Sequence, residues 1–408
     1  MKIVVIGGGA SGIVASIFAK SNNNEVIVLE KNNKCLKKLL ITGNGKCNYF
    51  NENFSIDHYY SDSIDSLSDI ITSENKNNVL EFFSSIGVVA RVKNGCYYPN
   101  SNQSYSVYNS LLKEASLRGV VVKNDIKVLN IVKNDSYFIV STNNGDFYCD
   151  KVIISTGGKS YPKTGSEGDG YIFGKSLGHS IISVYPSLVS LISKNNLKDL
   201  SGVRCDASVS LFCGKVLKTE IGEVQFTDYG LSGICIFNLS NLVNKLLNSG
   251  KQVCVKVNFF NGFNIDSYND FCKFFDQFNK CVQNRSITEL LEGYLNYKIV
   301  NIILKMCKIS SDKSWNSLND SEKKCLFSYL TSFNVDIIDT KGFDVAQVSI
   351  GGISLNDVDI NSFESKIVSG LYFTGEVLDV TGDCGGYNLG FAFLSGMIAG
   401  KSVGDLSD

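Results

Sequence analysis

Residues 2–31, KIVVIGGGASGIVASIFAKSNNNEVIVLEK, hold two short apolar runs separated by glycines and a segment of small residues. KIVVI and EVIVL lack polar alternation, so each reads as a strand buried on both faces, while ASGIVASIFAKS between them carries apolar residues at helical spacing. Strand, helix and strand in this order form a βαβ unit with a parallel strand pair. The glycines at the turn have separate tasks. Gly7 permits the tight turn, Gly9 lets the backbone approach a pyrophosphate, and Gly12 lets the helix pack closely on the strand. The helix N-terminus, at Ala10 and Ser11, offers N–H groups and a positive dipole end to that anion. Glu30 closes the second strand, where a carboxylate accepts hydrogen bonds from an adenosine ribose and repels a 2′-phosphate, with Lys31 beside it. The motif says dinucleotide, not which one.

A second stretch separates the candidates. GEVLDVTGDCGGYNLGFAFLSG, residues 375–396, reads as another glycine-rich turn leading into a small-residue helix. FAD is longer than one Rossmann half-site, and its flavin end needs a second strand-to-helix junction. Gly375 and Glu376, with Gly386, Asn388 and Leu389 at the mouth of the last helix, can supply it, whereas a simple nicotinamide dehydrogenase has no such need. The plain alternative is a glycine turn and a helix packed tightly for core reasons alone. VIISTGG, ending at Gly158 and including Thr156 and Gly157, is a third element of the same kind.

Five segments in the right order resemble one family: ITGNGKCN (41–48), STGGKSYPKTGSEGDGY (155–171), FTDYGLSG (226–233), VAQVSIGGIS (345–354) and GEVLDVTGDCGGYN (375–388). Together they look like the BaiN/RdsA flavoproteins, also called YhiN-like or aminoacetone-oxidase-like NAD(P)/FAD-dependent oxidoreductases, over essentially the whole chain. The resemblance implies an FAD-binding Rossmann domain, a β-barrel-like second domain and a helical insert. It also implies that the loop Thr42–Asn48, with Asn44, Cys47 and Asn48, runs beside the flavin, that Gly375–Leu389 closes over its ring, and that Val128 belongs to the cofactor-binding set. The family usually shows arginine at Lys46, histidine at Asp228 and proline at Ile234. Lysine keeps the charge but loses the planar fork, and all three departures bear on the substrate rather than on FAD.

The remaining chain is expected to be α/β: a discontinuous Rossmann-type FAD-binding domain (1–186 and 343–408) with an inserted β-barrel-like domain (187–264 and 333–342, its return strand reaching as far as about 354). The barrel in turn carries a helical insert (265–332). ASVSLFCGKVLKTEIGEVQF and QVCVKVNFF supply the β pattern, and CKFFDQFNKCV, SITELLEGYLNYKIVNIILKMC and SEKKCLFSYLTSF the helical one.

Composition narrows the function classes. The 39 basic and 40 acidic residues leave a net charge of −1 with no basic block, so RNA as a partner is not favoured by total charge, although a local basic face could form on folding. Thirteen cysteines and two histidines, with no Cys-x-x-Cys pair, give no disulfide framework and no metal site. No stretch approaches the roughly 18 apolar residues of a membrane span, and the N-terminal apolar run is too glycine-broken for a signal peptide, so a cytoplasmic protein is expected. Catalytic candidates are weak. Cys47, beside Lys46, could be a low-pKa thiol but reads better as packing; Tyr161 and Tyr387, beside glycine turns, could donate a proton among nineteen tyrosines. The expected activity is NAD(P)H-driven, FAD-dependent reduction of an activated C=C bond in a small or steroid-like substrate, with reduced nicotinamide as a transient visitor. Reduction of a ribosomal RNA uridine to dihydrouridine, amine oxidation, or flavin binding without turnover are the alternatives. Oligomeric state is not legible.

Overall fold

The run KIVVI becomes the middle of a five-stranded parallel sheet, ordered Leu371–Phe373, Lys151–Ile154, Lys2–Ile6, Glu25–Leu29, Val121–Lys123. The computed structural model describes residues 1–282 and 285–404; residues 283–284 of the expected helical insert and 405–408 of the expected Rossmann-type segment lie outside the described residues. Val4 pairs with Ile27 on one side and Val152 on the other, and all three are buried, which is why these strands carry no polar alternation. The helix Ala10–Ala19 returns the chain from the first strand to the second. A three-stranded antiparallel meander, Val128–Lys133, Phe138–Thr142 and Gly145–Cys149, precedes the fourth strand of the parallel sheet in the chain.

The chain divides into two compact units: Met1–Ser187 together with the segment from Phe343 onward, and Leu188–Gly342. The second is built on a closed antiparallel barrel, ordered Leu191–Ser193, Gly230–Ser232, Lys215–Phe226, Arg204–Cys213, Val253–Asn258, Phe333–Thr340. Its interior is packed with side chains, including Ala207, Val209, Leu211, Val255 and Val257. Between the fifth and sixth of these strands lie the helices Tyr268–Cys281, Ile287–Glu292, Tyr297–Cys307 and Asp320–Thr331. Each starts on a side-chain cap, at Ser267, Ser286, Asn296 and Asn319, two of them as full capping boxes, so the local sequence fixes where they begin.

Two expectations are corrected. The barrel's return strand ends at Thr340 and does not run on to about 354; Val348–Ile353 pairs instead with Ile181–Ser187 inside the first unit. The segment 187–264, in which only β pattern was read, contains the helix Ile234–Asn248. It buries Asn238, Asn241 and Asn244 alongside Ile236, Leu239 and Val243, and those asparagines break the apolar stripe that would have announced it.

Candidate functional site

The three glycine-bearing strand ends meet at the carboxyl edge of the parallel sheet, where open α/β sheets bind ligands. At the first turn Gly7 has φ +102°, and a Cβ added there would lie 2.6 Å from the Ser155 carbonyl oxygen. A Cβ at Gly12 would lie 2.0 Å from the Gly7 oxygen, whereas one at Gly9 would meet nothing nearer than 3.9 Å. Gly7 and Gly12 are therefore glycine for packing, while Gly9 leaves open space in front of the helix. The helix Ala10–Ala19 begins with no side-chain cap and no acid in its first turn, leaving its first N–H groups for an anion. Buried Glu30 faces this turn: Gly8 N–H donates to Oε2 at 2.9 Å, and Asn32 donates to Oε1 through its backbone (2.8 Å) and its amide (2.7 Å). These residues fit the pyrophosphate and ribose of a dinucleotide.

Strand Leu371–Phe373 runs into the second turn beside the first. The Ser11 hydroxyl donates to the Thr374 carbonyl at 3.3 Å, and the Gly375 N–H donates to Ser395 Oγ at 2.9 Å. Gly375 has φ +72°, and its absent Cβ would fall 2.6 Å from Ser11 Oγ. The helix Tyr387–Gly404 lies against Ala10–Ala19 through Gly396 and Gly400, whose added Cβ atoms would stand 2.4 Å and 2.5 Å from the Ser11 and Ala15 oxygens. Gly390, also a small residue of this helix, faces Phe50 instead. At the third turn Ser155 and Thr374 share a hydroxyl hydrogen bond of 2.6 Å, Gly157 has φ +71°, and Gly158 sits against the Glu376 carboxylate.

Several expected site residues have partners within the protein. Glu376 Oε1 accepts from Ser160 Oγ (2.9 Å) and the Ser349 N–H (2.8 Å), and Oε2 from Lys38 Nζ (2.7 Å). The Lys31 ammonium is held by Glu167 and Asp169 at 2.6 and 2.5 Å. Burial lowers its pKa, but the two carboxylates more than offset this and raise it, so it is a structural cation. Asn388 spends its side chain on the Gly382–Asp383 loop, accepting from the Gly382 N–H and donating to the Gly382 oxygen, both at 2.8 Å. Gly386 (φ +97°) presses on Phe50 and Asn48, so the mouth of the last helix rests on the loop that carries Cys47 and Asn48. Asn44 is exposed at φ +54° in that loop, and Leu389 is half-buried. Val128 is buried two residues beyond Ile126, whose N–H donates to the Glu30 carbonyl at 2.9 Å.

The catalytic candidates separate clearly. Cys47 is fully buried and burial pushes its thiol up to about 12, which disfavours the thiolate a nucleophilic role needs. Tyr161 is a partly exposed residue at φ +55° before a short 3₁₀ turn. Tyr387 is buried, which raises its phenol above the usual tyrosine range with Asp383 adding to the effect. Its ring stacks on His58, centroids 4.5 Å apart and 22° between planes. Gly8, Asn32, Lys38, Ser160, His58 and Asp383 were not singled out for this site. Gly8, Ser160 and Asp383 lie inside motifs already quoted, but Lys38, Ser160 and His58 reach their partners only through the fold.

The family model described as HI0933-like protein Rossmann domain matches residues 1–402. The chain belongs to the HI0933-like Rossmann family. It is an FAD-dependent oxidoreductase. It is 34% identical over 408 residues, 99% of each chain, to the 3-dehydro-bile acid delta(4,6)-reductase of Clostridium scindens. A ribosomal RNA dihydrouridine synthase of Escherichia coli is 25% identical over 409 residues, 98% of each chain. Among solved structures, the 3-ketosteroid-delta4-(5alpha)-dehydrogenase of Rhodococcus jostii RHA1 superposes with a TM-score of 0.50 at 14% identity, covering 99% of this chain and 96% of that one. That likeness speaks for the fold of this HI0933-like chain. Among the described residues no helix is long and apolar enough to cross a membrane, and none gather as a metal-binding cluster.

Proposed function

We propose that this HI0933-like protein transfers electrons from NADH or NADPH through FAD to an activated C=C bond of a small or steroid-like substrate. The observation that carries the reading is the full-length similarity, at 34% identity, to a protein named as a 3-dehydro-bile acid delta(4,6)-reductase. Bound FAD supplies the hydride chemistry. On the chain's side, the N–H groups behind Gly9 hold the pyrophosphate, Glu30 takes the adenosine ribose, and the backbone from Gly386 to Leu389 faces the flavin end. Gly157 and Gly375 let the backbone come close between these two ends. No second G-x-G-x-x-G occurs in the middle of the chain, so the reduced nicotinamide visits the flavin face transiently. All thirteen cysteines are free, which suits a reducing cytoplasm.

A second reading has its own support in the whole-length similarity to a ribosomal RNA dihydrouridine synthase. Both reactions add a hydride and a proton across a C=C bond conjugated to a carbonyl, so the same site serves either. The test begins with the flavin released on denaturation, which should chromatograph as FAD and not FMN. Anaerobic protein reduced with NADH or NADPH is then offered a 3-keto-4-ene steroid or ribosomal RNA. Fast reoxidation by the steroid supports the leading reading, by RNA the second, and no reoxidation by either enone or RNA overturns both.

A further inference from the structure

The reduction proposed above consumes a proton for every hydride, and the buried candidates Cys47 and Tyr387 hold theirs too tightly. Burial raises the Tyr387 and Tyr59 phenols above their usual range and pushes the Cys47 and Cys384 thiols to about 12 and about 11. The chain has only two histidines. His179 is buried, with Nε2 2.7 Å from Ser365 Oγ and Nδ1 3.1 Å from the Gly174 oxygen. His58 is different. Its Nδ1 lies 3.2 Å from Asp383 Oδ2, its Nε2 lies 2.8 Å from the Asn53 amide nitrogen, and its ring stacks on Tyr387 at the mouth of the last helix.

The surroundings fix the ring's hydrogen bonding. With the Asn53 amide donating to Nε2, that nitrogen is the acceptor, and Nδ1 carries the hydrogen that Asp383 accepts. Asp383 is itself held: Oδ1 accepts from the Tyr60 hydroxyl at 3.0 Å, and its N–H donates to the His58 oxygen at 2.8 Å. Strand residues Tyr59 and Tyr60 pair antiparallel with Thr381 and Gly382, so the histidine and the carboxylate are fixed to one another from both sides. Nε2 points to the exposed Asn53, whose amide can turn its oxygen toward Nε2 when the ring gains a second proton. The arrangement thus satisfies both charge states, and it keeps a route to water through the His58 side chain, 29% exposed. Ionisable groups on the elements that meet it include Asp383 and Tyr387, with Tyr60 held on Asp383 and Asp57 on its own turn.

We propose that His58 is the proton relay of the reduction, with Asp383 as its positioning residue. The inference rests on the C=C reductase reading. In each turnover the substrate's alkene gains a hydride at one carbon, drawn from FAD reduced by NAD(P)H, and the π pair takes a proton at the other. That proton leaves Nε2 of the His58 imidazolium, which becomes neutral and is recharged from water.

Two measurements test this separately from the reading it rests on. In the FAD-loaded enzyme, His58→Gln should keep the flavin content, visible spectrum and rate of flavin reduction by NAD(P)H. Reoxidation by the enone or RNA acceptor should slow at least about 100-fold, the lower range for losing a general acid, and lose its pH dependence. Unchanged reoxidation with an unchanged pH profile would overturn the relay. NMR of the two histidines needs no acceptor: the neutral His58 ring should carry its hydrogen on Nδ1, facing Asp383, and Asp383→Ala should abolish that tautomer preference. A neutral ring protonated on Nε2, or a tautomer preference indifferent to Asp383→Ala, overturns the assignment even if the acceptor proves to be something else.

Discussion

At the residue scale, glycine positions decide the geometry, and two kinds of glycine must be told apart. Gly386 combines φ +97° with backbone contact, an added Cβ falling 2.5 Å from the Phe50 oxygen. Gly386→Val should therefore displace the mouth of the last helix, at a cost of about 1–3 kcal/mol from overpacking alone, and reduce flavin occupancy or shift the flavin spectrum. Gly342→Ala is the matched control, because nothing lies within 4 Å of its added Cβ; Gly250 serves less well, since its φ of +74° strains any side chain. Normal occupancy and spectrum in Gly386→Val would reduce this turn to core packing. Glu30→Ala should weaken FAD binding by about 1–3 kcal/mol, the range for a hydrogen bond to a charged group, as read by flavin-fluorescence titration of the apoprotein. Unchanged affinity would move the ribose contact elsewhere. Glu30 was legible because its place at the end of the second strand is set by local sequence. Lys38 and Ser160 were not, because nothing local brings either to Glu376.

At the element scale, the contact between the helices Ala10–Ala19 and Tyr387–Gly404 joins the two turns. Gly396→Ala puts opposing effects on one atom. Alanine in a helix interior is favoured over glycine by about 1 kcal/mol, but its Cβ would stand 2.4 Å from the Ser11 oxygen, so the helices must separate at a cost of about 1–3 kcal/mol. The close approach should win. The variant should unfold at lower denaturant and bind FAD more weakly, because Ser11 also meets Thr374 and Gly375. A more stable variant would mean that the helices adjust freely and that their closeness is not what holds the turns together. Elements with simple patterns were readable: the parallel strands are apolar throughout, and the insert helices begin at Ser and Asn caps. Ile234–Asn248 was missed because its buried face is partly asparagine, and 286–307 divides at Gly293–Asn296 where one helix was expected.

At the scale of the whole molecule, the two units have separate hydrophobic cores, and every residue assigned to FAD belongs to the unit formed by Met1–Ser187 and the segment from Phe343 onward. The change of pattern near 187 lies beside the division between Ser187 and Leu188. The end of the barrel's return strand was not legible, since VAQVSIGGIS is as strand-like as the segment before it and only pairing with Ile181–Ser187 decides its sheet. The thermodynamic consequence follows from linkage. A ligand bound only by folded protein stabilises the unit that holds it by RT ln(1 + [L]/Kd), about 2.7 kcal/mol at a hundredfold excess over Kd. Scanning calorimetry of the apoprotein should show two transitions, and saturating FAD should raise one by several degrees while leaving the other in place. Pulsed proteolysis at intermediate temperature assigns them: FAD should protect fragments from Met1–Ser187 and not those from Leu188–Gly342. If FAD raised both transitions equally, the two cores would unfold as one, and the division of labour between them would have no thermodynamic meaning.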